Sequence, residues 1–274
     1  MGDRSSIEWT DATWNPVVGC DRVSPGCDNC YAIAQAIRIQ RMGTSSAYEG
    51  TTTADGDWSG LVKCLPERLD QPLRWRRPRQ IFVNSMSDLF HPDVPDAFIV
   101  DVFAVMAAAP QHVFQILTKR PQRMAALLAV DDFTGAVSEA TAARIEPRPA
   151  SEAIEVPPLS NVWLGTSIES DRYTFRANHL RSTPASVRFL SLEPLLGPLP
   201  SLDLHQIDWV IVGGESGPNA RPLEVEWVRH IRERSLAAGV PFFFKQWGGR
   251  TAKSGGRELD GRTWDEEPFV LSQR

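Results

Sequence analysis

Six short apolar runs recur along this chain, each ending abruptly in polar residues: Ile81-Phe82-Val83-Asn84, His112–Leu117, Asn161–Gly165, Val187–Leu192, Asp208–Val212 and Val240–Phe244. Helical patterns separate them, over about 96–109, from Arg120 to about Val130, and over 171–182 and 225–238. Strands that read as continuous apolar runs are buried on both faces, which is the signature of a parallel sheet covered by helices. An earlier short strand is expected near Trp14–Val18, bringing the count to six or seven strand–helix units. That number suggests a full or partial (β/α) barrel rather than a doubly wound sheet. No Gly-x-Gly-x-x-Gly follows the first strand, which counts against a dinucleotide fold.

The chain has 274 residues, enough for one large α/β domain. The reading is one domain over 1–250, interrupted by an Ala-, Glu-, Thr- and Pro-rich surface insertion at 131–160, with a polar, loop-like tail at 251–274. No run of about 18 apolar residues exists, so no membrane span is expected. Met1 to Thr10 is polar and lacks a signal-peptide core. The net charge of −5 gives no global attraction to nucleic acid, so such a partner would need a local basic patch.

Three of the four cysteines, Cys20, Cys27 and Cys30, crowd into a Gly- and Pro-rich loop with spacing C-x6-C-x2-C. Crowded thiols argue against a disulfide framework and for a reducing, cytoplasmic setting. The helical pattern starting after Cys30 places that thiol at a helix N-terminus, where free amides favour a thiolate. Three soft ligands leave one metal position open. An iron–sulfur cluster, a zinc site and plain buried or redox thiols all remain readings of this loop.

Barrels of this type carry their chemistry at the C-terminal strand ends. Those ends hold Asn84-Ser85-Met86-Ser87-Asp88, Thr118-Lys119-Arg120, Thr166-Ser167-Ile168-Glu169, Ser191-Leu192-Glu193, Gly213-Gly214-Glu215 and Lys245-Gln246. The first strand leads into the cysteine loop on the same rim, so thiols and polar groups are expected to converge. His91 and His179 are read as structural. Trp9, Trp14, Trp163, Trp209 and Trp227 are read as core or rim packing. The one basic run, Arg74, Trp75, Arg76, Arg77 and Arg79, could grip phosphate and stack a base, or form a solvated approach to the next strand.

The linked motifs W-N-P-x-x-G-C-x6-C-x2-C-Y-A, I-F-V-N-S-M-S-D-L-F-H, L-T-K-R-P, N-V-W-L-G-T-S, F-L-S-L-E-P-L-L-G-P-L, V-I-V-G-G-E-S-G and F-F-K-Q-W-G resemble an uncharacterised family of phage-type three-cysteine-motif proteins. That family in turn resembles radical S-adenosylmethionine (radical SAM) enzymes similar to spore photoproduct lyase. Those pair a three-cysteine loop with a Ser/Thr-Asp turn after the second strand and a Leu-Thr-Lys segment after the third. The resemblance implies a partial (β/α)6-type TIM barrel of the radical SAM kind with a [4Fe–4S] cluster on Cys20, Cys27 and Cys30. It implies S-adenosylmethionine on the fourth iron, cleaved by one electron to a 5′-deoxyadenosyl radical, and hence an electron donor protein. Ser85, Ser87 and Asp88 match the turn that meets the methionine amine, and Lys119 its carboxylate. Thr166, Ser167 and Glu169 would lie near the ribose, and Gly213 and Gly214 near the adenine. Glu193, Glu215 and Lys245 are left for the substrate, read as a nucleic acid or nucleotide. Two departures stand out: the first gap is x6 rather than x3, and Asn29 precedes the last cysteine where an aromatic residue is common. The rival reading is a non-catalytic zinc-binding module using Cys20, Cys27, Cys30 and Cys64.

Overall fold

The structure, a computed structural model, describes residues 5–145, 157–251 and 253–268. In chain order the strands are β1 (Ala12–Trp14), β2 (Val17–Val18), β3 (Lys63–Cys64), β4 (Gln80–Val83), β5 (Val113–Thr118), β6 (Val162–Ser167), β7 (Val187–Leu192), β8 (Trp209–Gly213) and β9 (Phe242–Gln246). The helices are α1 (Tyr31–Met42), α2 (Asp96–Ala108), α3 (Pro121–Leu128), α4 (Asp131–Ala142), α5 (Arg176–Arg181) and α6 (Val225–Ala238). Seven strands form one parallel sheet in the order β1-β4-β5-β6-β7-β8-β9, while β2 and β3 pair antiparallel beside it. The order never reverses, as it does at the switch point of a doubly wound sheet. It is the order of an opened (β/α) barrel.

Period-2 alternation divides each strand between two cores. Ile81, Phe114, Leu164, Leu190, Val210, Phe242 and Phe244 face outward into a large cluster shared with the helices. Phe82, Trp163, Phe189, Trp209 and Phe243 face inward and meet one another around Trp9. Side chains from β4, β6, β7, β8 and β9 can share one small cluster only if the sheet curls around them. The inner cluster fills the N-terminal half of the half-barrel, so polar chemistry is confined to the C-terminal half.

Four expectations need correction. The first strand is split: Asn15-Pro16 ends β1, because proline cannot donate to the ladder, and β2 turns away to pair with β3. The last strand lies two residues later than expected, so Lys245 is inside it. The 131–160 interval is not wholly an excursion. Its first part is α4, which buries Phe133, Val137 and Thr141 and sets Phe133 edge-on to Phe103 of α2 at 5.2 Å; residues 146–156 lie outside the described residues. The tail is not free loop either: Phe244 N donates to Trp264 O at 2.9 Å and Glu266 N to Phe242 O at 3.3 Å, which covers the exposed edge of β9. Among the described residues no helix is long and apolar enough to cross a membrane.

Candidate functional site

The cysteine loop leaves β2 at the C-terminal rim of the sheet. A single 3₁₀ turn, Pro25–Cys27, folds it back, with Cys27 N donating to Ser24 O at 2.8 Å. Cys30 is the N-cap residue of α1, in extended backbone conformation. Burial pushes the Cys30 thiol up, while the Lys119 ammonium and the amides of Ala32 and Ile33 pull it back. Burial, then Asp88, pushes Cys20 up to about 12 against the opposing pull of Arg120. Cys30 interacts electrostatically with both Cys20 and Cys27. Cys64 is elsewhere: it pairs with Val17 across the β2–β3 ladder, packs against the outer core, and is perturbed by burial alone. Among the described residues no three His, Cys, Asp or Glu side chains are already gathered as a metal cage. The donor chemistry still fits a soft metal: three clustered thiols, one on a helix N-terminus, whose protons a metal would displace.

The Ser-Met-Ser-Asp turn after β4 is committed to building this rim. Ser85 Oγ donates to Asn15 Oδ1 at 3.1 Å and Ser87 Oγ to Val17 O at 2.8 Å. Asp88 is buried, and each of its oxygens takes two donors: Oδ1 from Phe90 N (3.0 Å) and Thr118 Oγ1 (2.7 Å), Oδ2 from Lys119 N (3.1 Å) and Arg120 Nη1 (3.0 Å). A carboxylate so occupied is a bracket between strand ends and leaves little capacity for an amine ligand. Arg120 extends the bracket to Asp21 through Nη2 and brings Nη1 to 3.9 Å from Cys20 Sγ. His91, read from sequence as structural, is buried, with Nε2 3.2 Å from the same Asp21 carboxylate.

Alternation decides which of the remaining candidates meet. Continuing the inward positions of each strand brings Lys119, Ser167, Ser191, Gly213 and Lys245 to the mouth of the half-barrel, with Glu193 just past β7. Lys245 Nζ lies 3.1 Å from Glu193 Oε1, and Ser191 Oγ donates to Glu193 Oε2 at 3.3 Å. A Cβ on Gly213 would stand 2.5 Å from Glu193 Oε1, so glycine there makes room for the carboxylate. Gly214 answers to a backbone neighbour, since its Cβ would fall 2.0 Å from Trp247 O. Both glycines are thus accounted for by contacts inside the chain. Thr166 points outward and ties β6 to β5 by donating to Thr118 O at 2.8 Å. Glu169 is fully buried; Oε2 accepts from Arg176 Nη1 at 2.9 Å, Oε1 has no hydrogen-bond partner, and the side chain rests against Gly26 of the cysteine loop. The sequence reading missed Tyr31. Its hydroxyl donates to Ser85 O at 2.5 Å, while the ring beside it stays half exposed, next in sequence to Cys30 on the rim.

Glu215 sits differently from Glu193. Its carboxylate accepts from Arg221 N (3.0 Å), Nε (2.9 Å) and Nη2 (2.5 Å) and from Asn29 Nδ2 (2.8 Å). Burial alone would raise this carboxyl, but the Arg221 and Asn29 donors outweigh it and hold it below the ordinary glutamate range. A depressed carboxyl stabilises the fold above its unfolded-state pKa and loses that contribution as pH falls through the folded value. The stability gap between wild type and Glu215→Gln is therefore expected to be widest at neutral pH and to narrow as pH falls below the ordinary glutamate range. Denaturant unfolding at neutral and acid pH checks this; a gap that widens on acidification contradicts it.

The basic run lies at the wrong end. Arg74–Arg79 precede β4 and so sit at the N-terminal end of the strands, opposite the cysteine loop. Trp75 is buried in the outer core, edge-on to His112 at 6.2 Å and covered by the Arg79 guanidinium at 4.9 Å. It is no platform for a base. Asp21 and Arg221 were not singled out from sequence, and Asn29 and Arg120 were noted there without a role. Only Arg120, beside Lys119 at a strand end, and Asn29, between two cysteines, carried a local signal.

No curated protein matches the chain. Among solved structures, a spore photoproduct lyase complexed with dinucleoside spore photoproduct is similar over 80% of this chain and 59% of its own, at 11% identity and a TM-score of 0.39. The chain thus spans less than two thirds of that protein's length. The model of a family described as "Protein of unknown function (DUF5131)" matches residues 4–268, nearly the whole chain, and the protein belongs to that family.

Proposed function

We propose that this protein is an iron–sulfur enzyme of the radical SAM type, acting on a nucleotide or nucleic acid. The observation that carries the reading is the three-thiol loop, with Cys30 on a helix N-terminus, on the same C-terminal side of a parallel half-barrel as the Glu193–Lys245 pair. Cys20, Cys27 and Cys30 would hold a [4Fe–4S] cluster. When bound, such a cluster supplies one electron to S-adenosylmethionine and so opens radical chemistry on a substrate. Lys119 and Lys245 offer two cations for carboxylate or phosphate groups. Ser167, Ser191 and Glu193 offer hydrogen bonds beside them. The aromatic cluster beneath keeps water out of the lower half-barrel. The amine, ribose and adenine roles expected for Ser87, Asp88, Thr166, Gly213 and Gly214 do not enter this reading, because those residues are already engaged within the chain. The separation of Cys64 from the other thiols favours the open three-thiolate centre over a four-cysteine zinc site.

Anaerobic purification with iron and sulfide assays tests the reading. The expected result is a brown protein with about four irons that releases 5′-deoxyadenosine with dithionite and S-adenosylmethionine. Cys20→Ala, Cys27→Ala and Cys30→Ala should each lose the iron, while Cys64→Ala keeps it. A colourless wild type that carries one zinc, lost on Cys64→Ala, would overturn the proposal.

A further inference from the structure

The two ends of the cysteine loop are held from opposite sides of the mouth. The Cys20 end is held from β5 by Arg120, through Asp21 and the sulfur itself. The Cys27–Cys30 end is held from the segment after β8. There Arg221 Nη2 donates to Pro25 O at 2.8 Å and Nη1 to Asp28 Oδ2 at 3.3 Å, while Asn29 Nδ2 donates to Glu215 Oε2 at 2.8 Å and to Asn219 O at 3.1 Å. We infer that Arg221 and Glu215 are positioning residues for Cys27 and Cys30, a latch that brings these two thiols into register with Cys20; this rests on the three-thiolate reading above.

Three observations carry the inference. First, the latch touches the loop at Pro25, Asp28 and Asn29, on either side of Cys27 and next to Cys30, at the backbone and side chains that decide where those sulfurs point. Second, its base is rigid. Glu215 O accepts from Gly249 N at 2.9 Å and Gly217 N donates to Gly249 O at 2.9 Å, which joins the segments after β8 and β9. Glu215 itself is gripped by three donors of Arg221, so neither partner is free to swing. Third, the loop between the cysteines is long enough to need an anchor from outside it. Six residues separate the first two cysteines, a span with many loop conformations, and an outside anchor selects one of them. The residue before the last cysteine is Asn29, whose amide supplies a bond that an aromatic side chain could not. Neither Arg221 nor Glu215 belongs to the Glu193–Lys245–Lys119 group, so their role is geometric.

The latch is separable from the fold. Asn29 and Glu215 are 186 positions apart, and the strands and α6 on either side keep their own apolar contacts. The paired variant Glu215→Gln/Arg221→Met leaves no unpaired charge, so it should fold. Two measurements on the full-length metal-free protein decide the matter. Cobalt(II) is the first probe, because its thiolate charge-transfer absorption counts coordinated sulfurs. The paired variant should bind cobalt about 10–100-fold more weakly, the usual cost of losing groups that orient metal ligands, with fewer thiolates per metal. Arg221→Lys, which keeps the charge but not the fork, should fall between. Mass-mapped iodoacetamide labelling is the second probe: Cys27, buried in the wild type, should react faster in the paired variant, while Cys20 keeps its rate. Thermal unfolding without metal should remain one cooperative transition, with only the modest drop in Tm that losing the Glu215–Arg221 pair brings. Wild-type cobalt affinity and spectrum in the paired variant, or unchanged Cys27 labelling, would overturn the latch. If the wild type shows no thiolate–cobalt band, the metal reading fails, and Cys27 labelling still decides whether the latch positions the loop.

Discussion

Asp88→Ala is expected to lower the free energy of unfolding by about 3–5 kcal/mol, the cost of breaking a buried charge pair by removing one partner. Four donors converge on this carboxylate, and three belong to consecutive residues at the end of β5 and beyond it: Thr118, Lys119 and Arg120. Without it, the Arg120 guanidinium, about one-tenth exposed, keeps the half-exposed Asp21 as its charged partner and only a 3.9 Å contact to the Cys20 sulfur besides. Asp88→Asn should rescue little. Its single carbonyl oxygen can replace only one side of the carboxylate, and its NH₂ would face either the Lys119 amide and Arg120 or the Phe90 amide and Thr118. The double variant Asp88→Ala/Arg120→Met should recover part of the loss, because it removes both buried charges together. Denaturant unfolding of wild type, Asp88→Ala, Arg120→Met and the double variant gives the cycle directly. A single-variant loss below about 1 kcal/mol would show that Asp88 is not the bracket described and would return it to the pool of free ligand-binding groups.

Trp209→Ala should cost a similar about 3–5 kcal/mol, for a different reason. Trp209 is fully buried at the centre of the inner cluster, with ring centroids 5.8 Å from Phe189, 5.9 Å from Trp163, 6.0 Å from Phe243 and 6.3 Å from Trp9. Truncation removes a large ring from a place where the curled sheet can collapse only by flattening. It also removes the Nε1 donor that holds Glu266 O at 2.7 Å, so the tail should loosen from β9. Trp209→Phe keeps most of the volume and should lose chiefly that hydrogen bond, about 1 kcal/mol. Thermal unfolding together with limited proteolysis separates the two effects. Trp209→Phe should release the tail to protease with a modest drop in Tm, whereas Trp209→Ala should show both changes in full. If Trp209→Ala unfolds within a few degrees of wild type, the inner cluster does not support the curl.

The two variants mark what could and could not be read from the chain. The parallel sheet, its helices and the burial of Trp209 follow from short apolar runs and their spacing, because burial on both faces is a local compositional demand. The place of the cysteine loop after the first strands follows as well, since covalent connection alone puts it there. The roles of the polar strand ends did not follow. Thr166 and Ser167 look alike in sequence, but a one-residue step in a strand exchanges outside for inside, and only the second faces the mouth. Glu193 and Glu215 each end an apolar strand. The first remains beside Lys245 because Gly213, in the neighbouring strand, leaves space for it; the second is taken by Arg221 and by Asn29 from the far end of the chain. The basic run around Trp75 allowed two readings, a phosphate grip or a solvated approach to the next strand, and the direction of β4 places it at the end of the half-barrel away from the cysteine loop. The sequence by itself determined which residues are buried and which chemistry is available, for these depend on composition and period. Only the tertiary structure decided which polar groups are still unoccupied, because that depends on strand direction, register and partners far away along the chain.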